Sequence, residues 1–480
     1  MERKQGCDCH QHGPLGTYAE GPTACAPHPK VIASIKKQIA RARVLSLADA
    51  RVAALSGMLG TPLENRTGFN DGVIYPPDVT DTPTSSVLSA ARRAQPRISR
   101  VHALATGPQK LNCLVLLVDF SDNRGTKPAS HYEKLLFDAA NPNSMASFYR
   151  ELSYGQLTVT GKVVPWIRAP RPYSYYTAGA SGTGDYPRNT PGLLEEVLKK
   201  WARISGNSFK PFDANRDGYL DGLFLIHAGP GAETLSSPQA RKDAIWSHKW
   251  TLNTPYKKNG IRAYAYFTAP EDGKLGVFSH EFGHFLGLPD LYDTSYRSHG
   301  IGDWCLMAGG SWGGGGSQPT RMSAWCLERL GWVKPRKLTA ARKLALETLE
   351  SSKTQCYRIE AGSVARNEYF LLENRQKKGR DAALPGHGLA VWHIDDTQSS
   401  NDNPLAYKVA LVQADGRRDL ELLRNSGDPA DLFPGSKAVT SVSGSSANHP
   451  HLRANSGVAT SVSLTGIGES RGRLTLKAKP

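Results

Sequence analysis

The chain has 480 residues, enough for two or three domains that each bury a core. Hydrophobic residues make up 39% and charged residues 21%, which excludes a disordered or membrane-embedded composition. No apolar run approaches the ~20 residues that span a bilayer, and the formal charge of +16 is dispersed, with 14 Lys/Arg against 8 Asp/Glu in residues 1–110, so it reads as a solvated basic surface and not as a nucleic-acid patch.

The first 29 residues are rich in Gly, Pro, His and Cys and are expected to be poorly ordered. From Pro29 to about Arg51, Ile32, Ile35 and Ile39 recur at helical spacing, and a Pro/Thr/Ser/Asp stretch from Tyr75 to Ser86 follows. Residues 1–110 therefore read as a pro-segment or regulatory extension. The N-terminus shows no apolar h-region, so no signal peptide is expected and localisation stays open. The seven cysteines (Cys7, Cys9, Cys25, Cys113, Cys305, Cys326 and Cys356) are odd in number and irregular in spacing, which argues against a disulfide scaffold. Cys305 and Cys326 could form one bridge in an oxidising compartment.

At Leu111 the texture changes. Residues 113–120 form an apolar run ending in acidic residues, as expected of a strand covered on both faces. A short helix over Ser147–Leu152, an alternating strand over Leu157–Val164, a helix over Pro191–Ala202 and a buried strand over Gly222–His227 follow. Phe278–Leu288 is expected to be helical, stopped by Pro289. Beyond Pro335, short strands (Tyr369–Glu373, Gly388–Ile394, Lys408–Val412) between turn signals suggest a β-sandwich.

The decisive segment is His280-Glu281-Phe282-Gly283-His284, continued to Asp290. Residues four apart on a helix lie one turn above each other, so both imidazoles can face one ion, with Glu281 placed to hold a water beside it. Gly287 permits a sharp turn and Pro289 prevents further helix, so Asp290 can swing back as a third ligand. Three ligands leave one position open, the arrangement of a catalytic zinc site, and Glu281 is the candidate base for hydrolysis of a peptide bond. A ligand from a downstream helix, Glu328, is the alternative third donor.

Asp213-Ala214-Asn215-Arg216-Asp217-Gly218 matches the start of a calcium loop, with Asp213, Asn215, Asp217, the Tyr219 carbonyl and Asp221 as oxygen donors. Its twelfth position is Phe224, not the bidentate Glu of a full loop, and a metal-free turn is the competing reading.

H-E-x-x-H-x-x-G-x-x-D resembles the metzincin pattern with Asp as third ligand, as in the immune inhibitor A family of metallopeptidases. The resemblance covers residues 111 to 435 and includes Val115–Asp122, Tyr149–Gly155, Ile245–His248, Leu291–Asp293, Met322–Cys326, Leu330–Val333 and Leu371–Arg375. It implies an α+β chain: a pro-segment over 1–110, a metzincin-like zinc peptidase domain over 111–335 and a β-sandwich over 336–480, acting on protein or peptide substrates and secreted. It also implies a methionine turn beneath the metal, which Gly302–Met307 fits, 23 residues past His284. Where some metzincins carry a Tyr two residues after that Met, this chain has Gly309, so the oxyanion stabiliser is unassigned, with Tyr292 and His248 as candidates. Pro-segments of metallopeptidases can block zinc with a thiolate, and Cys25 or the Cys7/Cys9 pair could do so in cis, against the plainer reading of a free surface thiol. A binding or adhesin protein on a retired peptidase scaffold is the alternative function.

Overall fold

A computed structural model describes residues 25–31, 33, 109–294, 297–362, 365 and 367–480. Cys7, Cys9, most of the helix expected over 29–51 and the 75–86 stretch lie outside the described residues; within them, residues 29–31 are helical.

The first sheet joins β1 (Gln109–Asp119), β2 (Leu157–Arg168), β3 (Leu223–His227), β4 (His248–Lys258) and β5 (Ile261–Pro270) in the order β2-β1-β3-β5-β4. β1 pairs in parallel with β2 and β3, β3 in parallel with β5, and β4 runs antiparallel along the edge. Alternation along β1 decides what each face covers. Cys113, Val115 and Leu117 point into one core, and Leu114, Leu116 and Val118 into another. The second core is closed by α4 (Thr190–Arg203), whose Leu193, Leu194, Val197, Leu198 and Trp201 form one apolar stripe. Asn189 starts that helix by accepting the amide hydrogen of Gly192, a cap worth about 1 kcal/mol.

The first core is closed by α1 (Ala129–Leu136), α2 (Met145–Leu152) and α6 (Leu275–Phe285), while the short α3 (Tyr173–Thr177) buries Tyr176 in the second core and α5 (Pro238–Lys242) lies between β3 and β4 in the chain. α6 is buried along its whole length, so both histidines sit in the interior. It ends at Phe285, earlier than the expected Leu288, because Gly287 turns the chain at φ +96° and the amide of Leu288 bonds back to the Gly283 carbonyl. Cys305 and Cys326, the pair that could have formed one bridge, are free thiols with sulfurs 3.8 Å apart.

After α7 (Ala324–Arg329) the chain is mostly β. β6 (Arg336–Lys337), β8 (Cys356–Glu360), β9 (Glu368–Arg375), β10 (Gly388–Asp395) and β11 (Val409–Leu411) form a five-stranded sheet. β7 (Arg342–Leu346), β12 (Val442–Ser443), β13 (Ser463–Ser470) and β14 (Arg473–Lys479) form a four-stranded one. Leu344, Leu346, Ile359, Phe370, Leu372, Val391, Leu464 and Leu476 from both sheets share one core. The opposite face of β9 and β10, through Leu371, Trp392 and Ile394, joins the core that holds Phe282 and Met307. Among the described residues the architecture is mixed α/β with three sheets, and one apolar core takes in residues on both sides of position 335. No described helix is long and apolar enough to cross a membrane.

Candidate active site

His280, His284 and Asp290 converge. Nε2 of His280 lies 3.1 Å from Oδ1 of Asp290, Nε2 of His284 lies 3.1 Å from the same oxygen, and the two Nε2 atoms are 3.1 Å apart. All three side chains are nearly or fully buried. Each histidine is aimed by its other nitrogen: Nδ1 of His280 donates to the Leu306 carbonyl at 2.9 Å, and Nδ1 of His284 to the Leu288 carbonyl at 2.7 Å. Those bonds leave the Nε2 lone pairs facing the centre.

Two lone pairs and a carboxylate oxygen meeting at such distances repel unless a cation lies between them. A tetrahedral zinc ion held at ~2.0–2.1 Å by two imidazoles would set their nitrogens about 3.3 Å apart, so the donor set fits zinc. Glu281 supplies the second observation. Both its carboxylate oxygens are buried and have no hydrogen-bond partner, a costly arrangement unless substrate or water completes it. Burial, then the charges of Asp290 and Glu233, push its carboxyl well above the ordinary range. Burial also raises Asp290, but His284 and His280 outweigh it and hold that carboxyl below its usual value. Burial lowers His284.

Below the site, Gly302–Trp304 form a 3₁₀ turn, and Met307 is fully buried in the core that contains Phe282. Tyr149 of α2 donates to the Ser279 carbonyl at 2.5 Å and packs on Phe282 at 4.9 Å, fixing α6 from behind. Glu328 is not at the centre: its carboxylate pairs with Arg358 at 3.5 Å. His248 is committed elsewhere, its Nε2 to the Tyr266 hydroxyl at 3.0 Å and its Nδ1 to the Trp246 carbonyl at 2.7 Å. Tyr292 lies nearer, its ring centroid 6.3 Å from that of His280.

Cys25 is not a surface thiol. It is fully buried, within reach of the charges of Glu233, Glu281 and Asp290, and burial followed by those charges pushes its thiol well up. Two indoles fix the segment: Nε1 of Trp246 donates to the Cys25 carbonyl at 2.9 Å, and Nε1 of Trp312 to the Ala26 carbonyl at 2.7 Å. The His28 amide adds a bond to the Glu233 carbonyl at 3.0 Å. Both tryptophans and Glu233 are distant in sequence from Cys25, so no local signal showed this contact.

The Asp213–Asp221 loop forms a tight turn in which its own backbone engages the acids. Asp213 accepts the amides of Asp217 (3.0 Å) and Gly218 (3.2 Å), Asn215 accepts that of Asp217 (3.1 Å), and Asp217 accepts that of Tyr219 (2.9 Å). Asp221 accepts the amides of Ala214 and Asn112, pinning the turn to β1.

A buried helix presents two histidines and a glutamate, and the following turn returns an aspartate to them, the kind of donor set a metallopeptidase uses. Residues 103–333, just under half of the chain, match the family described as immune inhibitor A peptidase M6, catalytic domain. The chain is similar to immune inhibitor A of Bacillus thuringiensis subsp. alesti, 35% identical over 267 residues, covering 45% of this chain and 39% of the relative. It is also similar to the pre-pro-metalloprotease PrtV of Vibrio cholerae serotype O1 (strain M66-2), 31% identical over 318 residues, covering 55% of this chain and 34% of the relative. The matched stretches thus span well under half the length of these curated relatives.

Proposed function

We propose that the chain is a zinc-dependent endopeptidase in which His280, His284 and Asp290 hold the metal and Glu281 is the general base and acid. The carrying observation is the buried, unpartnered Glu281 carboxylate beside three convergent donor atoms. Bound zinc supplies Lewis acidity and shifts the pKa of water toward about 7. Glu281 accepts the proton of the attacking water and returns it to the leaving amine. The imidazoles are kept in the required tautomer by the Leu306 and Leu288 carbonyls. Met307 floors the site.

In this reading residues 111–335 are the metzincin-like catalytic unit and 336–480 a β-sandwich that braces it and engages protein substrates outside the cell. The segment around Cys25 is the inhibitor in cis, a reading supported by the burial of its thiol where the charges of Glu281 and Asp290 act on it. Calcium in the Asp213–Asp221 loop, supported by the D-x-N-x-D-G spacing, would stiffen the turn that leads into β3. A retired binding scaffold is disfavoured, because such a scaffold gains nothing from keeping Glu281 buried and unpaired.

The test is casein hydrolysis by the Cys25→Ala chain and its Glu281→Gln derivative, with zinc content measured on both. Cleavage that 1,10-phenanthroline abolishes, and that the Gln derivative loses while keeping its zinc, is expected. Zinc-loaded protein that cleaves nothing, or cleavage indifferent to the chelator, overturns the proposal.

A further inference from the structure

The loop after β11 concentrates negative charge that its cations do not match. One carboxylate oxygen each from Asp415, Asp419 and Asp428 lies within 4.8 Å of the other two. This is no solvated acidic face: the Asp415 and Asp419 side chains are 4% and 8% exposed. Oδ2 of Asp415 is buried with no hydrogen-bond partner; the nearest cation is Nε of Arg417 at 3.8 Å, on a side chain 62% exposed. Arg424, 60% exposed, reaches Oδ1 of Asp419 at 3.2 Å, and the Asn425 amide donates to Oδ2 of Asp428 at 2.9 Å and to Oδ2 of Asp419 at 3.4 Å.

A fourth carboxylate stands behind these three. Asp431 is 1% exposed, and its Oδ2 accepts the Trp304 indole N–H at 3.1 Å and the Asp428 amide at 2.9 Å. Its Oδ1 is buried with no partner, and the charges of Asp428 and Asp415 both act on it. Four acids gathered on a half-buried to buried loop, two with orphaned oxygens, repel one another unless a cation enters.

We propose that Asp415, Asp419 and Asp428 form a calcium site, with Asp431 completing its charge from behind. The donors are all hard oxygens on an irregular loop, which suits a large, flexible coordination shell and excludes the nitrogen and sulfur preference of zinc. The ion's role is structural and reaches the catalytic helix. The same loop clasps the turn beneath the active site: the Asp303 amide bonds to the Ser426 carbonyl at 2.7 Å, Ser426 Oγ to Asp303 Oδ2 at 2.8 Å, and the His299 amide to the Leu420 carbonyl at 2.9 Å. That turn continues to Leu306, whose carbonyl orients His280. Calcium thus locks a loop of the C-terminal half onto the floor of the metal site.

The test uses the full zinc-loaded chain after EGTA treatment, with terbium as probe, since the Trp304 indole bonded to Asp431 is placed to sensitise its emission. Saturable emission on tryptophan excitation, displaced by calcium, and a melting temperature that rises with calcium are expected. Asp415→Asn/Asp428→Asn should weaken terbium binding by at least about tenfold, the loss of a charged oxygen ligand being felt directly in affinity. Asp213→Asn/Asp217→Asn should leave the signal in place. Should the first double variant fail to fold, Asp419→Asn carries the same expectation. Absence of a calcium-dependent melting shift, terbium binding unchanged in the Asp415/Asp428 or Asp419 variants, or a signal lost only in the Asp213/Asp217 chain overturns the assignment.

Discussion

Gly283 and Met307 are in contact so close that a β-carbon on Gly283 would lie 2.4 Å from the methionine sulfur. The glycine between the two histidines is therefore the slot through which the methionine floor meets the helix. Alanine is favoured over glycine in a helix by about 1 kcal/mol, yet overpacking a fully buried contact costs about 1–3 kcal/mol. Gly283→Ala is expected to lower the melting temperature and loosen zinc, and Met307→Ala added to it should recover part of the loss. A Gly283→Ala chain more stable than its parent, with zinc affinity unchanged, would show that the slot has room to spare.

The third ligand is tested by deletion. Asp290→Ala should release zinc from the purified protein, because Oδ1 of Asp290 is 3.1 Å from both imidazole nitrogens. Glu328→Ala should keep one zinc per chain, because that carboxylate lies away from the three donors, its Oε1 facing Arg358 at 3.5 Å. Metal analysis of both variants decides; the reverse pattern would transfer the role to Glu328.

Much of the site was legible because its determinants are local. The i, i+4 histidines, the turn at Gly287 and the returning Asp290 all fall within eleven consecutive residues, where helix geometry alone dictates what meets. The strands β1 and β3 were legible for a similar reason, as apolar runs covered on both faces. The β4–β5 hairpin carried a readable sign that the reading passed over, the Asn259-Gly260 pair, both at positive φ in the turn. What sequence could not show is pairing across hundreds of residues. Cys25 meets Trp246 and Trp312, and Asp431 meets Trp304, only because the sheets bring them together. The run Tyr149–Gly155 gave no hint that Glu151 binds Arg321 and Arg380, at 3.1 and 2.8 Å.

Cys25→Ala tests the proposed inhibition in cis. The substitution removes the sulfur but keeps the carbonyl bonded to Trp246, so the segment should stay docked yet leave the fourth metal position open. Hydrolysis of a short fluorogenic peptide should rise several-fold over the unprocessed parent, and the cobalt-substituted parent should show a thiolate charge-transfer band that the variant lacks. Equal activity and identical spectra in the two chains would remove the thiol from the latency mechanism.

Glu233 gives a pH signature in stability. It is fully buried, its Oε1 accepts Ser247 Oγ at 2.6 Å, and burial pushes its carboxyl from 4.5 up to about 7, against the lowering effect of Ser247. A folded value above the unfolded one means the folded chain holds the extra proton. The contribution is fully present below about 4.5 and is lost as pH rises through about 7. Melting curves across that window should show the parent losing stability relative to Glu233→Gln, by roughly 1.4 kcal/mol per unit of separation between the two values. Parallel pH profiles for the two chains would mean the carboxyl is not displaced.

Arg375 ties the C-terminal half to the active-site floor through a buried fork. Its Nε and Nη2 bind Asp381 at 2.8 and 2.9 Å, and Nη1 donates to the Trp304 carbonyl at 2.8 Å, two residues before Leu306. The Arg side chain is 2% exposed and the Asp 6%, so neither charge has water to fall back on. Arg375→Met strands the buried Asp381 charge, a loss of about 3–5 kcal/mol, whereas replacing both partners with apolar residues removes that charge and leaves only Glu373, 3.8 Å from Nε, without its cation. Urea unfolding should therefore find Arg375→Met/Asp381→Leu more stable than Arg375→Met alone, with a coupling of on the order of 1–3 kcal/mol. Zinc affinity should stay low in both variants, because neither restores the bond to the Trp304 carbonyl. A double variant that regains stability and metal affinity together would show that the fork acts through charge pairing alone and does not position the turn.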